Sequence, residues 1–279
     1  MSVTIVVGGL RGATGVSKLA AYLALADQAV LATRAASGAE QLIEWSGQKQ
    51  TVSHLPGAVV YPDARLLVSR TAVIDLASFL AEVERLGVAD RLGVDRRATL
   101  RDTGSWASGA PELQRFLTDV PRELNTAARC NQTVIIEGAH SFDVSPLYGE
   151  PPDLVDFDTT AQACCVQVGL GPTQVDEVAL ALALAPDEKA PPREEVFGER
   201  NRLGDFNVEL AQQAALINGA TSIALLDFQR RFPRAGGVQR RANLPGEARQ
   251  WLEALEAMLN LPVSLVSTGP AVEHIVDLR

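Results

Sequence analysis

The sequence predicts an α/β protein with a mainly parallel central sheet and helices on both faces, formed by residues 1–279 as a single domain. Three observations predict this fold class. The chain begins with an apolar, β-branched run at residues 3–7, which a glycine-rich loop and a helix-patterned segment follow. A second apolar run, at 134–137, ends at a glycine. In the rest of the chain, strand-like runs alternate with helix-like segments, as in parallel sheets.

The elements follow in chain order. After the strand at 3–7, a helix is expected over 17–26, where Leu19 and Leu23 have helical spacing. A second helix is expected over 76–86, because its apolar positions recur on one face. The remaining expectations are strands at 50–54, 58–60, 66–68, 134–137, 222–226 and 263–266, helices at 111–128, 208–217 and 246–259, a strand or a helix at 174–185, and a surface connection at 186–192.

Composition excludes several classes of function. With 47 % hydrophobic residues among 279, the chain can bury a substantial core. A net charge of −9 argues against a nucleic-acid partner. Apolar runs are too short for a membrane span, and no signal peptide is expected, so a cytoplasmic protein is predicted. The cysteines lack metal-ligand spacing, and the adjacent Cys164 and Cys165 are interpreted as packing residues.

The loop after the first strand has the composition of a phosphate-binding loop. Its glycines, Gly9, Gly12 and Gly15, allow backbone N–H groups to approach an anion, and Lys18 adds a positive charge at the start of a helix. The match to the P-loop pattern is incomplete, since Leu19 stands where a Ser or Thr would hold magnesium. A tight structural turn between strand and helix is the alternative interpretation.

The most informative stretch follows the strand at 134–137. Its residues read VIIEG, then Ala139 and His140, then the run Asp158-Thr159-Thr160-Ala161, and it ends at the turn Gly169-Leu170-Gly171-Pro172. A buried strand that ends in glycines and hydroxyl side chains is a suitable place for a ligand at the sheet edge.

These residues resemble the adenylosuccinate synthetase family, whose purine-nucleotide loop reads EGAQG, NTTAGG and GLGP. The first loop, GLRGATGVSK, resembles the family's GxWGDEGKGK without a gap. Three further segments resemble family segments in the same order: TVSHLP at 51–56, NGAT at 218–221, and LPV through STGP at 261–270. The resemblance covers most of the chain and implies a reduced form of the family's P-loop-like fold.

The resemblance also implies a reaction in purine biosynthesis. Family members phosphorylate the 6-oxygen of a purine monophosphate with a nucleoside triphosphate, and the amino group of aspartate then displaces the phosphate. The implied partners are purine nucleotides and aspartate, with Mg²⁺, in a homodimer. The residues implied are Gly138, His140, Thr159 and Thr160 for the monophosphate, Gly9, Gly12, Gly15 and Lys18 for the triphosphate's phosphates, Ser267, Gly269 and Pro270 for its base, and Arg200 and Arg202 for aspartate.

The chain departs from the family where the family performs chemistry. Ala13 stands at the position of the catalytic Asp, Val16 at that of the first lysine of the loop, and Ala39 at that of the catalytic His. Loss of a general base commonly costs orders of magnitude in rate. The phage 2-aminoadenylosuccinate branch also replaces the Asp. Two hypotheses follow: an active ligase in which His140 and Lys18 are the candidate catalytic residues, or a pseudoenzyme that binds nucleotide or a protein partner.

The residues that select the triphosphate and the metal leave alternatives open. The family's TKLD segment, whose Asp reads guanine, is represented by Leu226-Asp227-Phe228-Gln229, so the co-substrate is GTP or ATP. His140 replaces a glutamine that contacts the purine 6-oxygen, and a histidine there can donate to that oxygen or act as an acid. A histidine satisfied by the backbone is the alternative. No metal ligand is assigned.

Overall fold

The architecture was established from a computed structural model, which describes residues 2–10, 15–38, 40–184, 202–203 and 206–279, with backbone alone at 202, 203 and 206. The helices of these residues are α1 Val16–Ala26, α2 Leu76–Leu86, α3 Val120–Arg129, α4 Ala161–Val168, α5 Val208–Asn218, α6 Phe228–Arg231 and α7 Gly246–Leu259. The strands are β1 Val3–Gly8, β2 Leu31–Arg34, β3 Gln41–Trp45, β4 Gln48–Val52, β5 Arg65–Val68, β6 Val73–Ile74, β7 Leu92–Asp95, β8 Thr99–Leu100, β9 Leu117–Thr118, β10 Val134–Ser141, β11 Glu177–Ala183, β12 Arg202–Leu203, β13 Phe206–Asn207, β14 Ser222–Leu226, β15 Val263–Ser267 and β16 Ile275–Asp277.

Ten strands form the central sheet in the order β16-β15-β14-β11-β1-β10-β2-β5-β7-β9. Every pair is parallel except β15–β16. The connection from β1 leads to β2 on one side, whereas that from β10 crosses to β11 on the other. Loops that diverge in this way leave a crevice at the carboxyl ends of the strands, where α/β proteins bind ligands. The predicted fold class is therefore confirmed.

Both faces of the sheet are covered by apolar side chains. In β1, Ile5 and Val7 pack against the cluster that includes α3, α4, α5 and α7, whereas Val6 belongs to the cluster with α1 and α2. All three side chains are fully buried. This explains why the strand reads as a continuous β-branched run rather than an alternating one.

Several sequence-based expectations were wrong in detail. Residues 58–60 lie in a 3₁₀ helix, not a strand. The segment expected as one helix over 111–128 is divided into a 3₁₀ helix at Pro111–Phe116, the strand β9 and α3, where the side chain of Asp119 caps the helix by accepting from Arg122 N. The ambiguous segment at 174–185 contains the strand β11. The strand β2 was missed, because its sequence, LATR, carries little β-branched character.

The start of α1 and the 3₁₀ helix at Gly57–Val60 meet at a close backbone approach. A Cβ atom on Gly57 would lie 1.9 Å from Ser17 O in the first turn of α1. Real Cβ atoms do not approach a carbonyl oxygen so closely, and neither backbone can move without displacing a packed element. Glycine is therefore required at 57 by packing. Of the helices in the described ranges, none is long and apolar enough to cross a membrane.

We expect Gly57→Ala to reduce the free energy of unfolding by about 3 kcal/mol or more, because the added methyl group must displace α1 from the sheet. Denaturant unfolding followed by circular dichroism measures this change. Gly246→Ala is the matched control, since no atom lies within 4 Å of the position that its methyl group would take, and alanine favours the helix that begins there. Equal stability of the two variants would contradict this account of residue 57.

Candidate functional site

Apart from Arg202, the predicted site residues that the structure describes lie along one edge of the sheet. Parallel strands place their carboxyl ends together, so the segments that follow β1, β10, β14 and β15 meet at this edge. They bring Gly9, His140, Asp227 and Pro270 to the same side of the molecule. The geometry of each group decides what it can bind.

The end of β10 carries a bulge. Val6 pairs with Glu137, and the next pair is Gly8 with Ser141. Between these two pairs β1 advances by two residues while β10 advances by four. Within the bulge, the backbone of His140 has a positive φ of 63°, a conformation that costs free energy for residues other than glycine. Bulges of this kind re-aim side chains next to binding sites. The imidazole of His140 lies beside Phe157, with ring centroids 5.6 Å apart.

The surroundings of His140 favour the neutral form of its ring. Although the side chain is exposed, desolvation by neighbouring groups and, to a lesser extent, the positive charge of Arg34 lower its pKa, whereas Asp156 opposes them. A neutral imidazole has one donor and one acceptor nitrogen. His140 can therefore both hydrogen-bond a ligand and take up a proton from it. Gly138 is tightly packed, since its Cβ would lie 3.1 Å from Val6 O.

The carboxylate of Glu137 joins three segments beneath the bulge. It accepts from Ser17 Oγ at 2.5 Å and from Gly57 N at 2.6 Å, and Arg34 Nε lies 3.3 Å from its Oε1. Glu137 and Arg34 are both buried. A buried carboxylate that is paired and hydrogen-bonded is tolerated, whereas removal of one partner leaves an uncompensated charge. Glu137 thus fixes the first turn of α1 against the end of β10.

The threonine pair connects α4 to the same strand. Thr159 Oγ1 donates to Ser141 O at 2.9 Å. Thr160 caps α4: its hydroxyl accepts from Ala163 N at 3.2 Å and donates to Asp158 at 2.7 Å. Both threonines are buried. The pair holds the N-terminus of α4 at the carboxyl edge, next to the bulge.

Lys18 lies at the other part of the edge. Its ammonium group donates to Ser267 Oγ at 2.5 Å and to Gly269 O at 2.9 Å. Burial lowers its pKa to about 8, and the charge of Asp227 partly opposes this. The sequence predicted Lys18 for the phosphates and Ser267 and Gly269 for the base. The structure brings all three together in one hydrogen-bonded cluster.

A cavity of about 140 Å³ opens beside this cluster. Besides Lys18 it is bounded by an acidic pair, Asp227 and Glu44, by apolar side chains and by the turn after β15. Asp227 is held in a left-handed backbone conformation, with φ of 56°, directly after β14. The residues that line the cavity are Gly15, Lys18, Leu42, Glu44, Leu226, Asp227 and Pro270.

The first-loop glycines are close-packed where they are described. A Cβ on Gly9 would lie 2.5 Å from Leu182 Cδ2, and one on Gly15 would lie 2.7 Å from Leu226 Cδ2. Gly12, Ala13, Ala39 and Arg200 lie outside the described residues, and Arg202 is described in its backbone alone, as part of β12. Their assigned roles stay predictions.

Sequence reasoning missed two contributors to this edge. Glu44 and Leu42 belong to the hairpin β3–β4, and no motif signals that this hairpin reaches the cavity. Arg34 was missed together with β2. His54 has a structural role, because its Nδ1 lies 3.0 Å from the buried carboxylate of Glu82. Cys164 and Cys165 are buried in α4, as packing residues would be.

We expect the stability of the wild-type chain to rise relative to that of Lys18→Met between pH 8 and pH 10. In this window the unfolded chain still binds the lysine proton while the folded chain has released it, so raising the pH favours the folded state. At pH 10 the free energy of unfolding of the wild type should have risen by about 2 kcal/mol relative to that of Lys18→Met. Denaturant unfolding at pH 7 and pH 10 measures it.

Lys49→Met is the control, because the Lys49 side chain is 66 % exposed. The stability difference between the wild type and this variant should stay the same at both pH values. A Lys18→Met variant whose stability relative to the wild type does not change with pH would contradict the buried, proton-losing state of Lys18.

Comparison with known proteins places this geometry in a family. No family model matches the chain. It is 33 % identical over 333 residues to adenylosuccinate synthetase of Archaeoglobus fulgidus, covering 100 % of this chain and 99 % of that protein. It is 32 % identical over 336 residues to the Pyrococcus horikoshii protein of the same name, with 100 % and 99 % covered. Both alignments are longer than this chain, so the relatives carry segments that it lacks.

Solved structures share the fold. The fully ligated adenylosuccinate synthetase of Plasmodium falciparum superposes with a TM-score of 0.83 at 13 % identity and 100 % coverage of both chains. The succinoaminodeoxyadenylate synthetase of cyanophage S-2L, bound to dGMP and to dATP as an energy donor, gives 0.75 at 17 % identity, with 99 % of this chain and 95 % of that one covered. With whole-length identity above 30 % to curated relatives, the chain belongs to the adenylosuccinate synthetase family.

Proposed function

We propose that this chain is a purine-biosynthetic ligase that joins aspartate to a purine monophosphate at the expense of a nucleoside triphosphate. The observation that carries the proposal is the whole-length relationship to proteins named adenylosuccinate synthetase. The carboxyl edge supports it, because it presents two separate groups of polar residues where one fold must hold two nucleotides. We further propose a cytoplasmic homodimer.

The purine monophosphate is assigned to the bulge of β10 and the start of α4. Gly138 lies at the start of the bulge, and Thr159 and Thr160 lead into the helix whose N-terminus favours an anion. His140 projects from the bulge toward the base. Its neutral ring can donate to the 6-oxygen and accept the proton that the purine loses.

The nucleoside triphosphate is assigned to the first loop and the cavity. Gly9, Gly12 and Gly15 are assigned to the phosphates, and Ser267, Gly269 and Pro270 to the base. The carboxylate of Asp227 lines the cavity, and a carboxylate accepts hydrogen bonds only. Guanine offers two adjacent donors to such a group, whereas adenine offers one amino group beside an acceptor. We therefore propose GTP as the preferred co-substrate, with ATP as the alternative.

Magnesium enters this scheme with the triphosphate. Among the described residues, no group of three or more His, Cys, Asp or Glu side chains is arranged to hold a metal ion. Mg²⁺ commonly uses substrate phosphates and few protein carboxylates. The aspartate substrate is assigned to Arg200 and Arg202, whose guanidinium groups pair well with carboxylates.

The proposed reaction has two steps. The 6-oxygen of the purine attacks the γ-phosphorus, and the bond to the β-phosphate oxygen breaks, while the proton on N1 passes to a base. The aspartate amino group then attacks C6 and inorganic phosphate leaves with the former 6-oxygen. Ala13 cannot take the proton, whereas His140 can. His140 is thus the proposed proton-transfer group.

The assay that decides between the ligase and a pseudoenzyme is phosphate release. We expect phosphate from GTP, and more slowly from ATP, when Mg²⁺, aspartate and one of IMP, GMP or dGMP are all present. Omission of aspartate is the control and should prevent turnover. Binding of purine nucleotides without turnover would support the pseudoenzyme, and no binding at millimolar concentration would refute both the ligase and a nucleotide-binding pseudoenzyme.

The role of His140 is tested by two variants. We expect His140→Ala and His140→Gln each to lower kcat about 100-fold, because neither side chain can take up a proton. The glutamine variant should keep the wild-type KM for the monophosphate, since its amide can still hydrogen-bond the 6-oxygen. Steady-state kinetics with varied monophosphate measures both. A glutamine variant with the wild-type kcat would show that His140 only hydrogen-bonds.

A further inference from the structure

Lys18 occupies an unexpected place for a residue of a phosphate-binding loop. Its side chain is 8 % exposed, and its ammonium group is committed to two acceptors, Ser267 Oγ and Gly269 O. Both acceptors belong to the turn after β15, about 250 residues further along the chain. A lysine that serves mainly a phosphate would keep its donors for the ligand.

The turn that Lys18 contacts is also held by hydrogen bonds on its far side. Thr268 Oγ1 donates to Val238 O at 2.7 Å, and Thr268 N donates to His274 O at 2.7 Å. These bonds tie the turn to its own C-terminal part of the chain. The contacts of Lys18 tie it to α1, and α1 is fixed to the end of β10 through Ser17 and Glu137.

The position of the cavity makes this bridge consequential. Gly15 and Lys18 form its α1 side, Pro270 forms its side toward the turn, and Asp227 lies after β14. The width of the space for a base therefore depends on the distance between α1 and the turn. The hydrogen bonds of Lys18 span that distance, and its positive charge also lies near the carboxylate of Asp227.

We propose that Lys18 is a positioning residue for the nucleobase: it holds the turn 267–270 against α1 and so shapes the cavity that takes the base of the triphosphate. The inference rests on the proposed function and assigns Lys18 to the base end instead of the phosphate end. Loss of a charged hydrogen bond corresponds to about tenfold in affinity.

The test compares fragments of the triphosphate. Guanosine, tripolyphosphate and GTP each displace a fluorescent GTP analogue from wild type, Lys18→Met, Lys18→Arg and Ser267→Ala. We expect Lys18→Met to weaken the binding of guanosine and of GTP by the same factor, about tenfold, and to leave the affinity for tripolyphosphate unchanged. Lys18→Arg should recover part of the loss, because it keeps a cationic donor.

Ser267→Ala removes the partner hydroxyl and provides the second variant if Lys18→Met folds poorly. It should also weaken guanosine selectively, and the double variant should lose less than the product of the single losses, as for residues in contact. The KM for the purine monophosphate should stay unchanged in all variants, which a general loss of structure would not allow.

Two results would overturn the inference. If Lys18→Met weakened the binding of tripolyphosphate and left that of guanosine unchanged, Lys18 would be assigned to the phosphates, while the proposed ligase would stand. If the losses of affinity in Lys18→Met and Ser267→Ala were independent, the two side chains would not act through their hydrogen bond. A wild-type chain that binds none of the three ligands, and no purine monophosphate, would overturn the proposed function together with this inference.

Discussion

The buried carboxylate of Glu137 is the contact on which the arrangement of the site depends. It lies at the end of β10 and holds Ser17 of α1, the amide of Gly57 and the guanidinium of Arg34. Three segments far apart in sequence are thereby fixed around one charge, which burial makes costly to leave unpaired. His140, in the bulge, comes shortly after Glu137 in the chain, and Lys18 comes directly after Ser17. The contacts of Glu137 therefore also position these two site residues.

This arrangement divides the carboxyl edge into two parts with different chemistry. The bulge and the threonine pair combine a helix N-terminus with an imidazole whose neutral form is favoured. The cavity beside Lys18 offers a carboxylate, a cation and apolar walls. The first turn of α1 lies between the two parts and contacts both, through Ser17 and Lys18. A ligase that must transfer a group between two nucleotides requires such a shared element.

The sequence predicted the fold well where the chain is apolar and periodic. The run at 3–7 and the helix at 76–86 are found where expected, because buried β-branched and one-sided patterns follow directly from packing. Residues whose position depends on distant segments were harder to predict. Glu137 carries no local sign of its three partners, and Lys18 looks like a phosphate ligand until the turn after β15 is placed beside it.

The departures from the family have a consistent physical interpretation. The alanines at 13 and 39 stand where the family has acid–base groups, whereas the strained His140 supplies one in the bulge of β10, where we propose that the purine lies. Backbone strain persists where the surrounding structure enforces it, and such positions cluster at functional sites. The central claim is therefore that the bulge of β10 receives the purine monophosphate.

Amide hydrogen exchange, measured with and without a purine monophosphate, tests this claim most directly. The account predicts slower exchange confined to the bulge at 138–140 and to the start of α4 at 159–163. Little change is expected at the opposite edge of the sheet, the amino edge, where the parallel strands begin near Ser222 and Ser264. Protection at the amino edge alone, or no protection anywhere at millimolar monophosphate, would contradict it.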